Sequence, residues 1–402
     1  MIFALQTLFY KTIIFFTGLL LKIVPVPKPM IYSGPDSSLQ LCNNIIHFGY
    51  KSVIIVTDAM LHEMGLVDAI KDKLSAAGIN VSVYDGVEPN PTFAQVHAGL
   101  ELAKSNNCDA VLAFGGGSSI DAAKVISVAA TNNKTPEALV GYFKAKKPGL
   151  PLYAVPSTAG TGSEVSVAAV ISDPVTHKKG IIGDPKTVPV AAALDPNIML
   201  GLPAPITAAT GMDALTHAIE AYLATIASDE SDAYALAAAK LIFENLPEVY
   251  SNGGNVSARE AMAVASCYAA LAFNKTALGY VHGIAHQFSG HYNTPHGVAN
   301  AIVLPTILDF QQDASEKRLA ELAVATGQAN ASDSTAIQAK KFVAAVRQLS
   351  ADLNIPSTLD ALQTADIPAI AKAALKESHY GYAVPKYMNQ QQCEALISKL
   401  VS

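Results

Sequence analysis

Four of the ten histidines lie within fifteen residues in the second half of the chain: His282, His286, His291 and His296. His282 and His286 are four residues apart, which is about one helical turn and places both imidazoles on one face of a helix. Two imidazoles with this spacing can bind one metal ion. The cluster favours a metal site over chance or solvated-surface histidines, but the spacing does not tell which of the four are ligands.

An aspartate and a histidine with the same spacing precede this cluster. Asp213 and His217 lie in the stretch GMDALTHAIEAY, where a helix would place a carboxylate and an imidazole on one face. Alone, the pair is equally explained by an aspartate near a helix start and a buried, hydrogen-bonded histidine. Combined with the later histidines, it predicts an oxygen and nitrogen ligand set that suits Fe(II), Zn(II) or a similar divalent ion.

A glycine-rich turn in the first half of the chain predicts nucleotide binding. The apolar run 109–114 leads into GGGSS at 115–119 and then into the helical stretch IDAAKVISVAA. Glycines between a strand and a helix let a ligand approach the backbone, and the helix N-terminus offers N–H groups and the positive end of its dipole. The turn is expected to bind a pyrophosphate. It lacks the G-x-G-x-x-G pattern, so tight packing is the alternative.

Asp58 follows the first predicted strand and precedes the glycine-rich turn in the chain. A carboxylate in this place can accept hydrogen bonds from a ribose 2′-OH and repel a 2′-phosphate, which favours NAD over NADP. The alternative role is the N-cap of the following helix. A further loop at 156–164, rich in Ser, Thr and Gly, suits sugar and phosphate contacts but is also typical of ordinary turns.

These residues need elements to position them, and the sequence predicts two kinds. Short apolar runs alternate with amphipathic stretches after residue 51, which indicates β-α-β units and a parallel sheet covered by helices. The strands are predicted at 52–57, 79–85, 109–114, 151–156, 167–173 and 190–196. Beyond about residue 200 the sequence has helical periodicity, with a boundary expected near 198–206. The clearest helical stretches are 210–225, 231–243, 258–272, 316–326, 334–353 and 367–375.

Composition limits the class of protein. Of the 402 residues, 50% are apolar and only 15% are charged, against roughly 25% charged residues in a typical soluble domain. The net charge of −6 and the lack of a basic run argue against a nucleic-acid partner. Four widely spaced cysteines fit neither a disulfide framework nor a thiolate zinc site, so a reducing interior is expected.

The first residues are almost wholly apolar, apart from Gln6, Lys11 and a few threonines, and a Pro-rich stretch follows them. One interpretation is an extra helix buried against the body of the protein or a partner subunit. A second is a membrane-surface anchor formed by residues 2–21. A cleaved or spanning segment is disfavoured, because Lys11 would lie near the middle of a span and no small-residue cleavage site is evident.

Four extended motifs occur in a fixed order: GGGSSIDAAK, PSTAGTGSEV, ATGMDALTHAIEAY and HGIAHQFSGHYNTPHGVANAIVLP. Through them the sequence resembles the iron-dependent (group III) alcohol dehydrogenases over nearly all of residues 30–400. The resemblance implies a Rossmann-like parallel-sheet NAD-binding domain, a helical metal-binding domain and a cleft between them. The expected limits are an extra segment at 1–30, the α/β domain at 31–202 and the helical domain at 203–402.

The resemblance also implies roles for individual residues. Asp213, His217, His282 and His296 would ligate the metal, and His286 would lie beside the substrate and the nicotinamide. The dinucleotide would contact Asp58, Asn90, Gly116, Gly117, Ser118, Ser157, Thr158, Ser166 and Lys179.

The function expected from the resemblance is the reversible oxidation of a small primary alcohol to its aldehyde, with the hydride passing to NAD and a metal acting as Lewis acid. A cytoplasmic enzyme that is at least a dimer is expected. A diol or lactaldehyde reductase, a glycerol-type dehydrogenase and a hydroxyacid–oxoacid transhydrogenase are alternatives on the same scaffold, and a redox-silent NAD-binding regulator is another. Gln287, Phe288, Ser289 and His291 depart from the family pattern, which leaves substrate choice open.

Overall fold

The computed structural model describes residues 2–172 and 179–402, which form two compact units. One unit comprises Val26–Gly201, and the other combines the residues up to Pro25 with Leu202–Ser402. The N-terminal residues are therefore grouped with the helical unit. The expected domain limits at residues 30 and 202 stay predictions.

The unit Val26–Gly201 is built on a parallel six-stranded sheet, as predicted. Its strands are β1 Met30–Ser33, β2 Ser52–Val56, β3 Asn80–Tyr84, β4 Ala110–Gly115, β6 Leu152–Pro156 and β9 Ala191–Leu194, in the order β1-β9-β6-β4-β2-β3. A separate three-stranded sheet contains β5 Gly141–Tyr142, β7 Ala168–Ser172 and β8 Lys179–Gly183. The run 167–173 is thus a strand of this small sheet, where it pairs antiparallel with β8, and its residue 173 lies outside the described residues.

Helices cover both faces of the large sheet, and this explains its unbroken apolar strands. In β2, Ile54 and Val56 belong to one buried cluster, while Val53 and Ile55 belong to another on the opposite face. A strand buried on both faces has no need of polar alternation. The helices of this unit are α2 Ser37–Phe48, α3 Ala59–Glu63, α4 Asp68–Ala76, α5 Phe93–Ser105, α6 Gly117–Asn132 and α7 Pro196–Met199.

The second unit is helical over the described residues. After α1 Ile2–Ile23, its helices are α8 Ala204–Leu223, α9 Asp229–Ser251, α10 Val256–Thr276, α11 Tyr280–Tyr292, α12 His296–Ala325, α13 Thr335–Asp352, α14 Ile367–Gly381 and α15 Gln390–Ile397. Helix α8 is its centre: it contacts α9, α10 and α12, and every residue from Gly211 to Leu223 is buried. A helix enclosed on every side needs apolar residues all round, as the strands covered on both faces do.

Helix α1 rests on this unit by one side only. Its contacts are with α10 and α14, and Ile14 is its buried large apolar residue. Among the described helices, α1 alone is long and apolar enough to cross a membrane; the segment Phe3–Leu21 has a mean hydropathy of 1.5. Core helices and signal sequences share this length and composition, so they do not by themselves distinguish between the interpretations.

Candidate metal centre and nucleotide-binding edge

Three helices of the second unit bring the predicted metal ligands together. Asp213 and His217 lie one turn apart on α8, and His282 lies in the first turn of α11. His296 is the first residue of α12, directly after Pro295, whose fixed φ favours a helix start. The i, i+4 spacing therefore places Asp213 and His217 on one face of α8, as predicted, whereas His296 comes from a separate helix.

The ligand atoms converge on Oδ1 of Asp213. This oxygen lies 3.9 Å from Nε2 of His217, 3.6 Å from Nε2 of His282 and 3.5 Å from Nε2 of His296. Asp213, His217 and His282 are buried, and ligand atoms of all three lie within 4.8 Å of one another. The side chain of His296 is about one third exposed, at 32%. Of these four side chains, that of His296 is the most accessible to solvent.

Asn300, one turn after His296 on α12, tests whether these residues suit a cation. Its amide nitrogen lies 2.7 Å from Oδ1 of Asp213, 3.1 Å from Nε2 of His282 and 3.2 Å from Nε2 of His296. An amide nitrogen has two protons and cannot donate to three acceptors at once. A divalent ion can bind all of these atoms together, so the donor set fits the metal that the resemblance implies.

Glu220 fixes the orientation of His282. Its Oε2 lies 2.6 Å from Nδ1 of His282, and its two oxygens also accept backbone hydrogen bonds from Gly279 at 2.9 Å and Val281 at 2.7 Å. Because a carboxylate only accepts, the proton resides on Nδ1 and Nε2 is the atom left for a metal. Carboxylate–histidine–metal arrangements of this kind recur in metalloproteins, where the outer carboxylate orients the ligand.

The electrostatics of the site favour positive charge. Burial alone raises the pKa of Asp213, but His217, His296 and His282 outweigh it and hold the pKa well below its usual range. Burial likewise lowers the pKa of His282, yet Glu220 and Asp213 raise it to about 9. Asp213 is thus ionised at neutral pH. A metal that binds Nε2 of His282 has to displace a proton.

His286 lies beside the ligand cluster with its own carboxylate partner. Its ring stacks on His296, and its Nδ1 lies 2.6 Å from Oε1 of Glu377 on α14. The hydroxyl of Tyr382 donates to the same oxygen at 2.5 Å, and Nε2 of Gln287 donates to Oε2 at 3.2 Å. Burial raises the pKa of Glu377, but His286 and Tyr382 lower it more, so the carboxylate stays ionised.

The structure thus separates the four clustered histidines. His282 and His296 face Asp213, His286 faces Glu377, and His291 is exposed at the end of α11. Of the departures from the family pattern, Gln287 supports Glu377, whereas Phe288 and Ser289 are buried.

In the α/β unit, the predicted nucleotide contacts follow four neighbouring strands. In the order β6-β4-β2-β3, Ser157 and Thr158 follow β6, Gly116 to Ser118 follow β4, Asp58 follows β2, and Asn90 follows β3. The carboxyl ends of parallel strands meet at one sheet edge. The chain also reverses its direction across the sheet between β2 and β4, and ligands of open α/β sheets bind at such a point.

The glycine-rich turn is built for close packing and for a helix N-terminus. Gly115 has a φ of +149°, and Gly116 is the N-cap of the sixteen-residue helix α6. A Cβ on Gly117 would lie 2.7 Å from Cγ2 of Thr161, so only glycine fits there. Asn90, with a φ of +58°, adopts a left-handed conformation that asparagine tolerates. Asp58 is an N-cap: its Oδ1 accepts a hydrogen bond from the backbone of Leu61 at 3.0 Å.

Lys124 ties the loop after β6 to helix α6. Its fully buried Nζ donates to Oγ of Ser163 at 3.0 Å, to Oγ of Ser166 at 2.9 Å and to the carbonyl of Ala168 at 2.7 Å. Asp121, one turn earlier, accepts a 2.5 Å hydrogen bond from Ser163 and one from the backbone of Val170. The hydroxyl of Ser166, predicted to contact the dinucleotide, is thus bound by Lys124. Burial raises the pKa of Asp121 above its ordinary value, although Lys124 and, more weakly, Lys179 at the start of β8 oppose this by their charge.

Several of these residues were absent from the sequence-based prediction. They are Glu220, Glu377, Asn300 and Lys124. Glu220 and Asn300 have a local signal, because each lies about one helical turn after a predicted ligand, His217 and His296 respectively. Glu377 and Lys124 were not identifiable from spacing, because the partners of their side chains are distant in sequence.

A parallel sheet with a nucleotide-type edge and a helical unit with an Asp–His cluster define a metal-dependent, nucleotide-linked oxidoreductase. Models of two protein families match the chain: "Iron-containing alcohol dehydrogenase" over residues 28–196 and "Fe-containing alcohol dehydrogenase family, C-terminal" over residues 207–401. The chain belongs to the iron-containing alcohol dehydrogenase family.

Individual relatives agree. The chain is 40% identical to a 1,3-propanediol dehydrogenase of Citrobacter freundii over 90% of this chain and 94% of the relative. It is 40% identical to an NAD-dependent methanol dehydrogenase of Bacillus methanolicus over 87% and 92%, respectively. A crystal structure of a 1,3-propanediol oxidoreductase superposes with a TM-score of 0.90 at 38% identity, covering 94% of this chain and all of that one. The predicted family, fold class, enzyme class and cofactor pair of NAD and iron are confirmed.

Proposed function

We propose that this enzyme interconverts small primary alcohols or diols and their aldehydes with NAD, at a metal held by Asp213, His217, His282 and His296. The observation that carries the proposal is the convergence of three imidazole nitrogens on one aspartate oxygen, at 3.5 to 3.9 Å. A buried carboxylate among neutral ligands suits iron or zinc. The relatives named for propanediol and methanol support a small substrate.

A bound divalent ion supplies Lewis-acid catalysis, which favours the alkoxide form of an alcohol, and NAD supplies the hydride acceptor. The chain's own residues orient these groups. Glu220 holds the tautomer of His282, because its Oε2 lies 2.6 Å from Nδ1. Asn300 can donate from its amide to Oδ1 of Asp213 at 2.7 Å and thereby orient this ligand.

His286 is the proposed proton carrier. Its Nδ1 is engaged by Glu377 at 2.6 Å, so Nε2 is the atom that accepts the proton of the substrate hydroxyl. The ionised Glu377 stabilises the imidazolium that results, and Tyr382 keeps this carboxylate in place. Proton transfer by a positioned side chain typically contributes about 10²- to 10⁴-fold to the rate.

The dinucleotide is proposed to lie along the carboxyl edge of the sheet. Its pyrophosphate would bind at Gly116, Gly117 and Ser118, where α6 begins. Asp58 would face a ribose: its Oδ1 caps α3, and its second oxygen is the one proposed for the 2′-OH. The remaining proposed contacts are Asn90, Ser157, Thr158, Ser166 and Lys179.

Diol and lactaldehyde reduction is the second candidate, favoured by the propanediol relatives. A glycerol-type dehydrogenase and a transhydrogenase share the same scaffold. Rates with ethanol, 1,2-propanediol, 1,3-propanediol, glycerol and 4-hydroxybutyrate distinguish these possibilities. No turnover with any of them, with metal and NAD bound, would instead support the redox-silent regulator.

The metal assignment is tested by His282→Ala and His296→Ala. We expect both variants to lose metal, measured by elemental analysis after anaerobic purification, and to lose turnover while still binding NAD. His291→Ala is the matched control, because His291 is an exposed histidine of α11 outside the cluster. Full turnover of a metal-free His282→Ala variant would overturn the assignment.

A cytoplasmic location and a homodimer are also proposed. The four cysteines are buried and free, and burial raises the pKa of Cys42 and of Cys393 to about 12, which fits a reducing compartment. Light scattering of the purified enzyme measures the oligomeric state, and fractionation of cells measures the location.

A further inference from the structure

Helix α1 has two apolar sides with different surroundings. One side carries Tyr10, Ile14 and Gly18, which are spaced four residues apart and pack on the helical unit. The ring of Tyr10 lies 4.7 Å from that of His379, Ile14 is buried, and a Cβ on Gly18 would lie 2.8 Å from Ile226. Glycine at residue 18 thus lets the helix lie directly on the body of its unit.

The opposite side of α1 is exposed and equally apolar. At 100° per residue its large side chains cover an arc of about 140°, centred roughly opposite the packed side. Their exposed fractions range from 48% at Leu19 to 70% at Ile23. We call this set the exposed stripe; it consists of Leu5, Leu8, Phe9, Phe15, Phe16, Leu19, Leu20 and Ile23.

The exposed stripe contains no charge and no unsatisfied polar group. Thr12 is the polar residue within its arc, and its hydroxyl donates to the carbonyl of Leu8 at 2.9 Å, inside the helix. Lys11 is exposed at the edge of the arc, where a flexible stem can carry its ammonium to lipid headgroups. A side chain set of this kind can enter an apolar phase without leaving a hydrogen-bonding group unpaired.

The geometry points to a lipid bilayer as the partner: we propose that α1 lies in the membrane interface and buries the exposed stripe among the acyl chains. A helix that spanned the bilayer would place all its sides in lipid, whereas Tyr10, Ile14 and Gly18 are engaged by the protein. The match to the family models begins at residue 28, so it does not include α1. The inference goes beyond the proposed function and does not depend on the substrate.

A second copy of the chain is a poorer fit to this surface. Leu5, Phe9, Phe16, Leu19 and Ile23 have heptad spacing, but coiled-coil seams favour aliphatic residues and carry charged pairs on their flanks. Here the seam contains two phenylalanines, and Leu8, Phe15 and Leu20 widen the apolar arc where flanking charges would lie. The surface offers no polar group that could fix the register of a second helix packed against it. Insertion into a bilayer requires no such group.

The chain contains no tryptophan, so one substitution creates a unique fluorescent probe. The full enzyme carrying Phe16→Trp is mixed with phosphatidylcholine vesicles. We expect its emission to shift to shorter wavelength and to be quenched by brominated acyl chains. The matched control is Phe48→Trp, an exposed phenylalanine of α2 that should show neither change.

Flotation with the same vesicles measures the contribution of the stripe. The variant F9S/F16S/L19S should lose binding by about a hundredfold or more, because each large apolar side chain adds several-fold to partitioning. The control F48S/V324S/I337S removes exposed apolar side chains elsewhere and should bind like the unmodified enzyme. Both variants should keep their activity in solution. High salt should leave binding of the unmodified enzyme almost unchanged, since screening acts on charges.

Three results would overturn the proposal. One is that the unmodified enzyme does not float with vesicles, or that F9S/F16S/L19S floats equally well. Another is that Phe16→Trp emission is already shifted without lipid and F9S/F16S/L19S halves the particle mass, which would identify a second copy as the partner. The third is that mass spectrometry of the enzyme from cells finds α1 removed.

Discussion

Two carboxylates determine what the site histidines can do. Glu220 and Glu377 each lie 2.6 Å from the Nδ1 atom of a histidine, His282 and His286 respectively. In both cases Nδ1 is occupied, so Nε2 is the nitrogen that remains for a metal or a proton. The same side-chain type is thereby proposed once as a metal ligand and once as a proton carrier, and the observed difference is that Nε2 of His282 lies 3.6 Å from Oδ1 of Asp213.

Replacing Glu377 should separate these two uses. We expect Glu377→Gln to lower kcat by about 10- to 100-fold with a small change in KM, because the neutral amide no longer stabilises the imidazolium of His286. Metal content should stay unchanged, since the hydrogen bonds of Glu377 hold His286, Gln287 and Tyr382, which are not among the four proposed ligands. Glu377→Asp should recover part of the loss, and Glu394→Gln on α15 serves as the control. Loss of metal in Glu377→Gln would contradict this role.

Sequence spacing pointed to candidate residues of the site, but it predicted neither that His286 would face Glu377 instead of Asp213 nor which residues orient these side chains. The pairs Asp213/His217 and His282/His286 are visible because helical periodicity links residues four apart. Glu377 is 91 residues from His286, and Asn300 is 87 residues from Asp213, so only the tertiary structure brings them together. For Asp58, by contrast, local sequence was enough: the N-cap role predicted as the alternative to a ribose contact is present in the structure.

At the level of elements, one contact between helices couples packing to metal binding. Glu220 of α8 accepts the backbone hydrogen bonds of Gly279 and Val281 and thereby caps α11 from outside. The close approach requires glycine: a Cβ on Gly279 would lie 2.5 Å from Oε1 of Glu220. Helix packing and the tautomer of His282 therefore depend on the same carboxylate.

Gly279→Ala tests this coupling. We expect the methyl group to displace Glu220 and to weaken metal affinity by about 10- to 100-fold, the usual effect of losing an outer carboxylate. Titration of the apoprotein with Fe(II) or Zn(II) measures it. Gly290→Ala, on the same helix, is the control: nothing lies within 4 Å of its Cβ, so it should bind metal normally and gain up to about 1 kcal/mol in stability. Equal affinities in the two variants would refute the coupling.

The elements that sequence periodicity missed have identifiable causes. The helical stretch predicted at 316–326 is only the end of α12, which starts at His296 and continues through Pro305. Pro305 and the changing burial along these thirty residues interrupt the helical periodicity of the sequence, so it did not indicate one continuous helix. The edge strand β1 has four residues after a Pro-rich stretch, too few for an alternating pattern. The central strands were predictable because burial on both faces makes them uniformly apolar.

At the scale of the whole molecule, buried charges near the loop after β6 make stability depend on pH. Burial raises the pKa of Glu164 from its ordinary value of 4.5 to about 7, although its backbone hydrogen bond and Lys124 oppose this. Between these values the folded state holds a proton that the unfolded state has lost. The contribution of Glu164 to stability is therefore present at low pH and is lost as the pH rises towards 7.

Glu164→Gln should remove this dependence. We expect the variant to be more stable than the unmodified protein at pH 7, by on the order of 1–3 kcal/mol, and the difference to shrink as the pH falls towards about 5. Thermal unfolding at a series of pH values measures it. Glu101→Gln, at an exposed position of α5, should change nothing. A stability difference that stays constant with pH would show that Glu164 is not protonated in the folded state.

Lys124 has a consequence for the lifetime of the protein. The loop 157–167 consists mostly of small and polar residues, and exposed loops of this composition are preferred sites of proteolytic cleavage. Most of this loop, including Val165, is buried. Here one buried amine and the carboxylate of Asp121 hold Ser163, Ser166 and Ala168 against α6. A protease needs an extended, freely accessible backbone, so cleavage has to await local unfolding of α6. The loop is thereby protected by its helix.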